Sequence, residues 1–126
     1  MRAVDTNVLV RLIVRGNEAQ VAAAEAFVAP GAWVSHLALA EAAWVLVSVY
    51  ERSAGQVGAT IEALLGHEAL TLQEPDVVRS ALARLRIAPR LGFSDCLMLE
   101  VAIKVGHTPV GTFDKALGRL DGAQRL

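Results

Sequence analysis

One cysteine in 126 residues excludes an internal disulfide framework and fits a reducing compartment. His36, His67 and His107 lack metal-ligand spacing, so with a single Cys there is no ligand set for structural zinc either. Aromatic residues make up only 5% of a chain that is 54% hydrophobic, which leaves the packing to Ala, Val and Leu. Neither sign of charge prevails. A net charge of −1 argues neither for nor against a nucleic-acid partner, and any basic surface must be local. No repeat, linker or low-complexity segment interrupts the chain, and its start reaches Asp5 too soon to hold the apolar core of a signal peptide. The stretch from Ala32 to Tyr50 is long enough to raise the question of a membrane span. Glu41 at its centre, Ser35, His36 and Ser48 within it, and Pro30-Gly31 before it favour a buried helix instead. No membrane association is expected.

What is present is an alternation of short strand-like runs with longer helical ones, in a length that suits one domain over residues 1–126. Strands are expected at Arg2–Val4, Trp33–Val34, Leu70–Leu72, Val110 and, as a last edge, Gln124–Leu126. Helices are expected after Asn7 or Thr6 as cap, over Glu18–Val28, from the end of the second strand to about Tyr50, and over Ser53–Leu65. Further helices follow over Asp76–Leu85, Asp95–Val105 and Lys115–Leu120, with a loop over Ile87–Gly92. Strands alternating with helices imply α/β architecture: a parallel sheet covered on both faces, joined by right-handed crossovers.

Four carboxylates stand in otherwise apolar surroundings along the chain: Asp5, Glu41, Asp95 and Asp114. Asp5 closes the first strand, and Glu41 is the only Asp, Glu, Lys or Arg between Ala32 and Tyr50. Asp95 opens the run Cys96-Leu97-Met98-Leu99, and Asp114 follows Pro109-Val110-Gly111-Thr112. A buried carboxylate without a partner costs several kcal/mol, so such groups are normally paired, protonated or bound to a cation. Three of the four have no Arg or Lys beside them, which suggests convergence on a metal. In open parallel sheets the ligand site lies beyond the carboxyl ends of the strands, the edge where Asp5 and Asp114 fall. Asp95 belongs to a helix's first turn, which the macrodipole favours. Glu41 lies about 9–12 Å along its helix from the strand end. That helix must lean across the sheet if Glu41 is to join the others.

The residues around these acids resemble the PIN-domain ribonucleases and, within them, the VapC-like toxins of toxin–antitoxin pairs. The resemblance spans nearly the whole chain. Val4-Asp5-Thr6-Asn7-Val8-Leu9 looks like the first motif of the family, and Leu39-Ala40-Glu41-Ala42-Ala43-Trp44-Val45-Leu46 is similar to the second. Phe93-Ser94-Asp95-Cys96-Leu97 matches the third, with Cys96 where Ala is common, and Thr112-Phe113-Asp114-Lys115-Ala116-Leu117 looks like the last. Each motif alone is weak; the four in order, at family-like spacing, form the signal. The resemblance implies a PIN-like three-layer α/β/α sandwich with a central parallel sheet of about four or five short strands. It implies an endoribonuclease that hydrolyses RNA phosphodiester bonds with Mg2+ or Mn2+. Asp5, Glu41, Asp95 and Asp114 would be catalytic metal ligands, direct or through water, with Thr6, Asn7, Ser94 and Thr112 as supporting donors. It further implies a cytoplasmic toxin, a homodimer, held by a cognate antitoxin protein.

Other readings stand beside these. Taken singly, Asp5 and Asp95 equally suit helix capping, and Asp114 equally suits a turn acid paired with Lys115. Cys96 reads as a small buried hydrophobe, and Trp33 and Trp44 as core or dimer-interface residues rather than base-stacking platforms. Arg11 and Arg15, one turn apart on one helix face, are candidate contacts to RNA phosphates, ahead of Arg52, Arg90, Lys104, Lys115 and Arg119. Leu12, Ile13, Val21, Phe27, Trp44, Val45, Val49 and Ile61 are expected to leave apolar surface for a second copy or an antitoxin peptide. The alternative functions are a non-catalytic PIN-fold module that binds RNA or protein, and another metal-dependent phosphoryl-transfer enzyme. An aspartate-nucleophile phosphatase needs a second Asp two residues after the first, where this chain has Asn7.

Overall fold

Every strand of the chain lies in a parallel pairing with a neighbour. A computed structural model describes residues 1–126. Strand β1 (Arg2–Ala3) leads to helices α1 (Thr6–Ile13) and α2 (Glu18–Val28), then to β2 (Ala32–Val34) and α3 (His36–Ser48). Helix α4 (Ala54–Leu65), β3 (Leu70–Leu72) and α5 (Pro75–Ile87) follow. A 3-10 turn at Pro89–Leu91 precedes α6 (Phe93–Val105), β4 (Val110–Thr112), α7 (Lys115–Gly118) and β5 (Ala123–Arg125). The architecture is the mixed α/β fold of an α/β/α sandwich. Its five strands pair in two parallel groups rather than one ladder: β1-β2-β3 and β4-β5. The registers are Arg2 with Ala32, Ala32 with Leu70, and Val110 with Ala123. No backbone ladder joins β1 to β4; strands of two or three residues have few groups to pair.

Local chemistry accounts for most boundaries. Asn17, Ser35 and Ser53 cap α2, α3 and α4 with side-chain oxygens, and Ser53 forms a reciprocal capping box with Gln56. The cap of α1 is Asp5, not Thr6 or Asn7: its Oδ1 accepts from the Val8 amide at 3.0 Å. Pro89-Arg90-Leu91 winds into a 3-10 turn inside the expected loop, and α6 starts two residues early, at Phe93. Gly106 ends α6 in the left-handed region at φ 81, which a glycine enters without steric cost.

The core is aliphatic, with Leu9, Val34, Leu39, Ile61, Val78, Leu85 and Leu99 at 2% exposure or less. Cys96 is fully buried among them, as expected of a small hydrophobe. No polar or charged residue is buried. That overturns the premise on which the acids first drew notice: Asp5, Glu41 and Asp114 are exposed and Asp95 is half-buried. The expected apolar surface also needs redrawing. Val21 and Ile61 are buried, and Leu12, Ile13, Phe27 and Val45 lean on the core, leaving Trp44 at 65% and Val49 at 62% exposure. Trp44 is therefore no core residue. No helix is long and apolar enough to cross a membrane.

Candidate active site

The elements that carry Asp5, Glu41 and Asp95 pack on one another, α1 on α3 and α3 on α6. Glu41 on α3 meets the start of α1, where Thr6 donates from Oγ1 to Glu41 Oε2 at 2.7 Å. The two ends of that bond line one cleft with Asp5, Asn7 and Trp44, about 390 Å3 in volume. Asp5 also opens onto a second cleft with Asn7, Arg11 and Gln20. The first acid and the second thus share a cavity, although they are 36 positions apart in the chain.

Asp95 and Asp114 form the other pair. Asp95 is the third residue of α6, with no capping bond, and its carboxyl is held above the usual range. Burial is the larger cause and repulsion from Asp114 the second. Asp114 caps α7, its Oδ2 accepting from the Leu117 amide at 2.7 Å, and its own amide donates to Thr112 Oγ1 at 3.0 Å. Gly118 allows α7 to sit this close to β5: a Cβ there would lie 2.7 Å from Arg125 Cβ. A side chain at position 118 would push away the short helix that Asp114 begins.

The supporting polar residues divide by what they touch. Thr6 holds a carboxylate directly, and Thr112 braces the loop that presents Asp114. Ser94 donates instead to the Ala40 carbonyl at 3.3 Å, tying the first turn of α6 to the residue before Glu41. Asn7 makes no side-chain hydrogen bond and borders both clefts at Asp5.

The basic residues are distributed differently from the sequence expectation. Arg15 pairs with Glu25 and Arg11 donates to Gln20, so both sit in contacts to α2, although Arg11 still borders the cleft at Asp5. Arg52 and Arg90 make no ion pair and line a third cleft, about 350 Å3 in volume, together with Trp44, Ser94 and Asp95. Sequence reasoning ranked these two lower because they are 38 positions apart and fall on no shared helix face. Only the fold brings them together.

None of the four acids has an ion-pair partner, and Asp114 does not pair with its neighbour Lys115; the four ion pairs of the chain lie elsewhere. The donors are all oxygens, carboxylates backed by hydroxyls, which suits a hard divalent cation. No three of them converge closely enough to form a protein cage. Such a set fits an ion that keeps much of its water shell, as magnesium usually does.

The protein-family model for the PIN domain matches residues 2–123. No curated protein and no solved structure gives a match. PIN domains are typically nucleases, and their nucleases generally use divalent metal ions.

Proposed function

The chain belongs to the PIN-domain family, and on that premise we propose that it is a metal-dependent endoribonuclease whose site is built from Asp5, Glu41, Asp95 and Asp114. The observation that carries the reading is the uncompensated charge. Four carboxylates lie without a cationic partner, and one of them is pushed up by burial and by its neighbour. A stable fold has no need of four carboxylates without counterions, whereas a divalent cation would relieve their charge.

Asp5, Glu41, Asp95 and Asp114 would hold Mg2+ or Mn2+, directly or through water. Bound there, the ion would supply an acidified water and charge neutralisation at the scissile phosphate. Thr6 keeps the Glu41 carboxylate turned into the cleft, since its hydroxyl proton is committed to Oε2. The Thr112 hydroxyl and the α7 amide of Leu117 fix the loop and carboxylate of Asp114. Ser94 maintains the spacing between the Asp95 and Glu41 helices. Exposure of three of the acids leaves the cleft open to a polymeric substrate.

The more specific role is that of a VapC-like toxin, dimeric in solution and restrained by an antitoxin protein. Exposed apolar side chains at Leu37, Val49 and Ile87 support it, because they offer surface for such partners. Incubation of purified protein with labelled RNA in manganese, magnesium or EDTA tests the activity. Cleavage in metal only, abolished in Asp5→Asn and Glu41→Gln, is the expected result. Cleavage that persists in EDTA or in both variants refutes it. A soluble, active monomer in sedimentation at micromolar concentration refutes the dimer.

A further inference from the structure

The cleft of Arg52 and Arg90 extends from Asp95, one of the acids of the proposed site. Arg90 is exposed on the 3-10 turn between α5 and α6, three residues before the helix that carries Asp95 begins. Arg52 is half-buried just beyond α3. Its position is set by Glu51, which reverses the chain in the left-handed region at φ 53, and by its own amide, which donates to the Leu46 carbonyl at 2.9 Å. Neither guanidinium is in an ion pair, although Arg15, Arg84, Arg86 and Lys104 all are. Trp44 lines this cleft and also the cleft of Asp5 and Glu41, so its indole is the wall common to both. Ser94 and Asp95 give a second connection to the acids.

We infer that this cleft is a subsite that holds one unpaired nucleotide of the RNA strand next to the scissile phosphate. Arg52 and Arg90 take backbone phosphate, and Trp44 stacks on an unpaired base between them and the acids. The inference rests on the ribonuclease reading above. The volume of about 350 Å3 is at the small end of ligand-sized clefts and suits one nucleotide rather than a duplex. Two free guanidinia favour a polyanion, and an indole at 65% exposure offers a π-face that only a splayed base can reach. A duplex keeps its bases stacked on one another and cannot use the indole.

The test separates binding from cleavage. Binding is measured by fluorescence anisotropy with Asp5→Asn protein in manganese, on a short labelled single-stranded RNA, its duplex and a poly-glutamate peptide, with gels to show the RNA intact. Single-stranded RNA should bind more tightly than duplex. Arg52→Ala and Arg90→Ala should each weaken it about tenfold, and together lower the salt dependence, log Kd against log salt, by about 1.4. Trp44→Ala should weaken it about fivefold to a hundredfold. In a Trp33→Phe background the remaining indole emission should be quenched by RNA. Arg79→Ala, an exposed charge on α5 away from the cleft, serves as the control and should bind as its parent does.

In the active protein the arginine losses should appear in KM. If wild-type protein cleaves RNA and the double arginine variant keeps its KM and its salt slope, the subsite fails and the ribonuclease reading stands. If no metal supports cleavage, the ribonuclease reading fails, and the binding series still decides the cleft. Equal binding of duplex and single strand overturns the inference. So does poly-glutamate binding that depends on the two arginines while RNA binding does not; that result assigns the cleft to an acidic protein segment.

Discussion

Replacing Asp95 by Asn keeps the shape of the site and removes one charge, and its effect on stability should reverse sign when metal is added. Without metal, the ionised Asp95 is opposed by burial and by Asp114. A carboxyl raised in the folded state binds its proton more tightly there than in the unfolded chain. Folding stability is therefore lost as pH rises from the ordinary carboxylate value through the raised folded one, and stays lost above it. Asp95→Asn removes that loss, so the metal-free variant should melt at or above the wild type at pH 7. The advantage should vanish below about pH 3.9, where the acid is protonated in both states. Manganese at a hundredfold excess over its dissociation constant should stabilise the wild type by about 2.7 kcal/mol. For 126 residues the unfolding entropy is about 0.26 kcal/mol/K, so the melting temperature should rise about 10 °C. The variant should gain much less and lose RNA cleavage. Asp5→Asn and Asp114→Asn should lose the same gain while staying near wild type without metal. Asn can still accept the Val8 and Leu117 amide bonds as a cap. Calorimetry with and without manganese reads all three. An Asp95→Asn protein that gains the full shift and cleaves normally refutes the metal site, and a purely structural cap would respond to neither metal nor activity assay.

Three further outcomes follow from particular contacts. Thr6→Val removes the only hydrogen bond to Glu41 and should lower metal affinity or cleavage about tenfold to a hundredfold, read by manganese titration and RNA turnover. Gly118→Ala sets a Cβ 2.7 Å from Arg125 Cβ, so it should cost about 1–3 kcal/mol in denaturant unfolding and reduce activity through displaced Asp114. Cys96 is fully buried, with its thiol pushed up to about 11 by burial first and by Asp95 second. It should resist thiol reagents at pH 8 in native protein, where about one part in a thousand is thiolate, and react only on unfolding.

The strand–helix alternation was legible because each boundary carries local chemistry. Ser53 and Gln56 announce α4, Gly106 announces the end of α6, and Pro75 stands at the first turn of α5. The start of α1 was misplaced by the choice among three adjacent capping residues, Asp5, Thr6 and Asn7. Geometry selects Asp5 because its Oδ1 reaches the Val8 amide, while Thr6 stands inside the helix and reaches Glu41. The split of the strands into two ladders was not legible, since runs such as Val110-Gly111-Thr112 specify direction and burial but not which neighbour they meet. Clefts that join distant segments were beyond reach for the same reason. Arg52 and Arg90 have no periodic relation, and their proximity is a product of the turn at Glu51 and the 3-10 turn at Pro89.

The acids have apolar neighbours along the chain, yet none of the four is buried in the core. Apolar neighbours along a chain imply burial only for a residue on the inward face of its element. On α3, Leu39, Ala42, Ala43 and Leu46 turn inward, while Leu37, Glu41 and Trp44 follow one another along the outer face. What isolates Glu41 is therefore a dry, apolar surface rather than a core. That difference matters chemically. A carboxylate in the core would need a fixed partner, whereas one on an apolar surface is accessible to a cation from solution. Thr6 can give it one hydrogen bond but no charge. Two arginines are committed elsewhere, Arg15 to Glu25 and Arg84 to Glu100, and Glu41 itself has no ion-pair partner. Neutralisation of Glu41 and its companions is thus left to whatever arrives from solution. An exposed, unpaired carboxylate of this kind can take up and release a cation, which a buried ion pair cannot do.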